Sequence, residues 1–89
     1  MMISIWKADA DEMPIEQLPM MDYEEARIYF LEEGLVADSG VYPEEACPFY
    51  DDVEMEEMLI AISDGFISHK SYPLILPDGE EITLHIEGV

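Results

Sequence analysis

The side chains of this 89-residue chain that could do covalent or acid–base chemistry are few: Cys47, His69, His85 and the carboxylates. A thiol or hydroxyl nucleophile needs a base within hydrogen-bond reach and a third group that orients the base. One cysteine and two histidines at unrelated spacings make no such motif. His85 falls on a strand position opposite the apolar residues, and His69 falls in a connector beside Lys70, so both read as structural or surface histidines. A structural zinc site takes four Cys or His ligands at short spacings, which this set does not supply. Asp9-Ala10-Asp11-Glu12 opens like a calcium loop but lacks the loop glycine and the closing glutamate. No glycine-rich phosphate loop occurs, and paired acids such as Asp51-Asp52 do acid–base work only inside a pocket. The expectation is a protein that is not an enzyme and needs no cofactor or metal.

The carboxylates are the chemistry that is left. Asp and Glu number 22 against three Lys and Arg, a formal charge of −19. Such a balance carries self-repulsion that core burial has to offset, and it repels nucleic acid and anionic membranes. The plain alternative is charge that serves solubility alone. The acids recur as doublets: Glu24-Glu25, Glu32-Glu33, Glu44-Glu45, Asp51-Asp52, Glu56-Glu57 and Glu80-Glu81. On a helix, residues three or four apart stand about 5–6 Å apart at Cβ. That approaches the scale of phosphates along one DNA strand, which rise by about 3.4 Å per nucleotide. Two acidic helix faces can therefore imitate a strip of phosphate backbone and fill a groove lined by Lys and Arg.

Helices must position those acids. In Asp51 to Gly65, Met55, Met58, Leu59 and Ile62 recur at i, i+3, i+4 and i+7, one apolar helical stripe. Asp51 and Glu54 read as an Asp-x-x-Glu capping pair, and Gly65 as the stop. Off the stripe lie Asp52, Glu54, Glu56 and Glu57, which predicts a nearly pure anionic outer face. A second helix starts at Asp22, again with a Glu three residues on, and stops at Gly34. Ala26 and Phe30, with Leu31 beside them, are its expected core contacts, while Glu24, Glu25, Glu32 and Glu33 lie elsewhere. Glu32 and Glu33 sit where the helix dipole disfavours negative charge, at a cost of about 0.3–1 kcal/mol each.

Met2 to Ala8 alternates as a strand. Ala8 to Met21 holds Pro14 and Pro19, which argue for an ordered loop whose Met13, Ile15, Leu18 and Met20 tuck under the helices. Leu35 to Tyr50 is broken by Ser39-Gly40, Pro43 and Pro48, with one helical turn expected at Pro43. There Tyr42, Phe49 and Tyr50 either seal the core or meet a partner. Phe66 and Ile67 read as a short extended piece. Pro77-Asp78-Gly79 between two β-rich runs predicts a C-terminal hairpin, and Pro73 places its first strand at an edge or bulge. The fold expected is α+β, order β-α-α-β-β, two helices on one face of a small, mostly antiparallel sheet, in one compact acidic domain over residues 1–89. With 49% hydrophobic residues the chain can bury a core. A lone cysteine admits no intrachain disulfide, and a reducing cytoplasm, bacterial or phage-infected, is the expected setting. No secretion signal or membrane span is read.

In size, charge, cysteine poverty and compact α+β pattern, the whole chain resembles the small acidic inhibitors that phages and mobile elements make against host DNA-binding proteins. Anti-CRISPR proteins and uracil-DNA glycosylase inhibitors are such proteins. No motif is shared, so no residue role carries over. The resemblance implies an inhibitor that binds the basic nucleic-acid-binding surface of a host protein, such as a CRISPR effector, by DNA mimicry. The candidate contacts are Glu24, Glu25, Glu32, Glu33, Asp51, Asp52, Glu54, Glu56, Glu57 and Tyr50. Reversing Glu56 and Glu57 to Lys is expected to weaken binding and leave the fold intact. The alternatives are an immunity protein that neutralises a nuclease toxin, with a compact acidic patch around tyrosines, and an acidic adaptor or assembly subunit.

Overall fold

The described residues form four strands and two helices, in the order β1 (Ile3–Ala8), β2 (Pro14–Gln17), α1 (Tyr23–Glu32), α2 (Asp52–Ser63), β3 (His69–Ile75) and β4 (Glu81–Gly88). They are seen in a computed structural model that describes residues 2–37, 47–76 and 78–89. The strands form one antiparallel sheet in the order β2-β1-β4-β3. The architecture is α+β, with the two helices against one sheet face and a C-terminal hairpin.

Side-chain alternation explains the layering. Ile3 and Ile5 of β1, Leu74 of β3, and Ile82, Leu84 and Ile86 of β4 turn to the same side and are buried. Their fellows on the helices are Ala26 and Phe30 of α1, and Met55, Met58, Leu59 and Ile62 of α2. The whole predicted stripe of α2 is thus in the core. Phe49 wedges between the layers, edge-on to Phe30 at 5.3 Å and to Tyr72 at 5.1 Å between ring centroids. It belongs to the core and not to a partner surface. No helix among the described residues is long and apolar enough to cross a membrane.

Caps set the helix ends. The Asp22 carboxylate accepts from the Glu25 N–H at 2.8 Å, and Glu25 accepts from the Asp22 N–H, a complete capping box. At α2 the Asp51 carboxylate accepts from the Glu54 N–H at 2.9 Å. Glu54 reaches past Asp51 to the Tyr50 N–H, so the reciprocal half is displaced by one residue. Gly34 and Gly65 take φ of 70° and 83°, the left-handed stop that glycine adopts at no Cβ cost.

The segment after β1 differs from expectation. Pro14 to Gln17 pairs with β1 as an edge strand, and Met13, Ile15 and Met20 are exposed. Only Leu18 of the four tucked residues packs on the core. Proline is tolerated here because Pro14 opens an edge strand and Pro19 lies beyond its end. Pro73 likewise sits in the other edge strand, β3. His69 is the first residue of β3 and not a connector, whereas Phe66 and Ile67 lie outside any strand. Tyr42, the turn at Ser39-Gly40, the helical turn at Pro43, Glu44-Glu45 and Pro77 lie outside the described residues.

Candidate functional site

Four of the nine acids read from the sequence as candidate contacts have separate duties. Glu25, Asp51 and Glu54 hold helix caps. Glu56 accepts from Arg27 Nε at 3.1 Å, a half-buried bridge that joins α2 to α1. That bond comes first among the causes that raise the Arg27 pKa. Burial, followed by the Glu56 charge, raises the pKa of Tyr23 beside it. Five of the candidate side chains make no hydrogen bond or ion pair among the described residues: Glu24, Glu32, Glu33, Asp52 and Glu57. Tyr50 is 64% exposed at the head of α2.

The outer helix surfaces are not purely anionic. On α2, Val53 and Ile60 are exposed in register with Glu57, and on α1, Ile28 is exposed between Glu24 and Glu32. They carry no signal in the sequence pattern because Met55, Met58, Leu59 and Ile62 already complete the α2 core stripe without Val53 and Ile60. Beside α1, Met20, Met21, Ile28 and Tyr29 line a groove of about 320 Å³, with Glu25 and Glu32 at its rim. An apolar floor with an acidic rim suits the aliphatic stem and cationic head of a Lys or Arg side chain.

The three basic residues of the chain do little to neutralise this layer. Arg27 is held by Glu56, and Lys7 by Glu16 at 3.2 Å. Lys7 also approaches the buried Tyr29 hydroxyl without closing a hydrogen bond of good geometry. Burial lowers the Lys7 pKa, but Tyr29 and Glu16 outweigh it and the net shift is upward. Lys70 is exposed on the edge strand β3, at the register position opposite Ile86 and so on the helix-bearing face, and makes no ion pair among the described residues.

The opposite sheet face carries a second constellation. Cross-strand pairing sets Trp6 beside His85, and His69 lies diagonally from His85. The imidazoles approach edge to edge, His69 Nε2 to His85 Nδ1 at 3.0 Å, with ring planes only 16° apart. His85 Nε2 lies 3.1 Å from a Glu12 carboxylate oxygen. The indole of Trp6 lies nearly parallel to both, its centroid 5.0 Å from that of His85 and 6.0 Å from that of His69. The sequence reading of structural or surface histidines does not include their meeting each other. Their meeting depends on strand register, which composition and spacing do not reveal.

No family model matches this chain, and comparison with curated proteins and with solved structures finds no similar protein.

Proposed function

We propose that this chain is an inhibitor that covers the basic nucleic-acid-binding surface of a host protein, in the manner of an anti-CRISPR that imitates DNA. The observation that supports it is the outer surface of the helix layer. There the carboxylates of Glu24, Glu32, Glu33, Asp52 and Glu57 enter no hydrogen bond or ion pair among the described residues. Uncommitted carboxylates can meet Lys and Arg of a partner without first breaking a bond of their own. Exposed ion pairs contribute little alone, about 0–1 kcal/mol each. Ile28, Val53, Ile60 and Tyr50 supply the apolar and aromatic area that an interface core needs. Association would be steered by the net charge and weakened by salt.

The test is affinity capture from a host lysate, eluted by a salt gradient. Capture of a nucleic-acid-binding protein that is released by added DNA is the expected result. Only non-basic partners at low salt would overturn the proposal.

One observation favours a second reading, that of an immunity protein against a nuclease toxin. The molecule measures 34 × 29 × 19 Å, a plate and not a rod, and exposed Tyr50 stands beside Asp51 and Asp52. A compact acidic patch with a central tyrosine can cover an active site without copying the run of a strand. A toxin that stays bound in excess DNA would decide for it.

A further inference from the structure

We propose that His69 and His85 together bind a divalent late transition-metal ion, Cu²⁺, Ni²⁺ or Zn²⁺, as a two-imidazole site on the open sheet face. It stands apart from the acidic helix layer and does not depend on the function proposed above.

Distance is the first argument. Metal–imidazole bonds of about 2.0–2.1 Å place two ligand nitrogens about 2.9–3.4 Å apart for square to tetrahedral angles. The facing nitrogens of His69 and His85 are 3.0 Å apart. Their lone-pair directions now run toward each other, so the rings must turn to converge on an ion. His69 can turn, because it opens an edge strand and is exposed.

The partner on the far side of His85 is the second argument. A metal-bound histidine commonly donates its other N–H to a carboxylate, which fixes the tautomer and makes the ligating nitrogen more basic. Glu12 takes that position at His85 Nε2. With Nε2–H donating to Glu12, His85 Nδ1 presents a lone pair toward His69, which accepts the Nε2–H of His69. An ion replaces that one hydrogen bond. His69 shifts its proton from Nε2 to Nδ1 through solvent, both rings stay neutral, and no net proton is released.

Backbone strain at Glu12 is the third argument. It is the sole non-glycine residue with positive φ among the described residues, at 63°. The turn that sets this conformation is tied by the Asp9 carboxylate, which accepts from the N–H groups of Asp11 and Met13. A glycine would adopt this backbone without strain but would leave His85 without its carboxylate.

Among the described residues no three of His, Cys, Asp and Glu converge on a common metal position. The site therefore offers two protein ligands, and water completes it. Glu87, which pairs with His69 across the strands, adds negative charge at its edge.

Trp6 is the only tryptophan of the chain and lies against the site, so its fluorescence reports an ion there. Cu²⁺ is titrated in a buffer with excess Mg²⁺, which occupies the surface carboxylates. The expected result is saturable quenching at one ion per chain. His69→Gln and His85→Gln should each abolish it with far-ultraviolet circular dichroism unchanged, and Glu12→Gln should weaken binding about 10-fold. Quenching equal in the wild type and both histidine variants would show binding by carboxylates and overturn the proposal. A readout on the wild type alone comes from long-range ¹H–¹⁵N imidazole spectra with Zn²⁺. His69 should pass to the Nδ1–H tautomer, and an unmoved tautomer at saturating Zn²⁺ would equally overturn it.

Discussion

Glu56 and Glu57 are neighbours in sequence with unlike duties, so charge reversal separates them. Glu57→Lys should leave the unfolding midpoint within experimental error and weaken capture of a basic partner. Glu56→Lys would set an ammonium against Arg27 at the seam between the helices. It should lower the urea-unfolding midpoint where Glu57→Lys does not, because an ion pair becomes a like-charge contact. In the core, Leu59→Ala should cost about 2–5 kcal/mol, since Leu59 is fully buried against the sheet and leaves a cavity. An unchanged urea midpoint would refute that packing.

At the scale of elements, the helices were legible and the sheet was only partly so. Caps and stripes are local signals, and Asp22, Glu25, Met55 and Leu59 each occupy the place their spacing implies. Asp22→Ala should remove one side of a complete capping box and cost about 0.5–2 kcal/mol in urea unfolding. Strand β2 was obscured because its prolines argue against a central strand, yet an edge strand accepts them. The bulge between Lys7 and Ala8, where β1 shifts register against β2, adds to this irregularity. The His69–His85 pair was beyond reach for a different reason. It follows from the offset of β3 against β4, and a shift of one residue would send one ring to the other face. Of the candidate surface, the acids were legible as a population. Which of them were already committed was not, because capping and bridging depend on side-chain reach.

Charge belongs to the whole molecule. With −19 spread over one small chain, repulsion among carboxylates is screened as salt rises. Raising ionic strength from about 0.01 M to about 0.15 M shortens the screening length from about 30 Å to about 8 Å. The melting temperature should rise over that range, which calorimetry can follow, while affinity for a basic partner falls. Alkaline pH acts with the opposite sign. Lys7, Tyr29 and Tyr72 have folded pKa values above their ordinary ones, the tyrosines chiefly through burial. The native state then holds more protons than the unfolded chain as pH passes about 10, and stability falls as pH rises through that region. Denaturant midpoints measured on either side of pH 10 should show the decline.

The central seam of the sheet joins β1 to β4, Ile3 opposite Gly88 and Ala8 opposite Thr83, with Met2 and Val89 bonded reciprocally at 3.0 and 2.9 Å. These partners lie at opposite ends of the described chain, and each of the two outer strands is held only by its seam neighbour. Hairpin β1–β2 and hairpin β3–β4 can each zip locally, but neither can bury its isoleucines until the other arrives. The core therefore cannot close until Glu81–Gly88 has been made and reaches Ile3–Ala8. Until then α1 and α2 have only partial cover for Phe30, Met55 and Leu59. Closing so long a loop is the slow event, and folding should take on the order of milliseconds to seconds, not microseconds. During that interval the same carboxylates that destabilise the native state keep partly folded chains from joining one another.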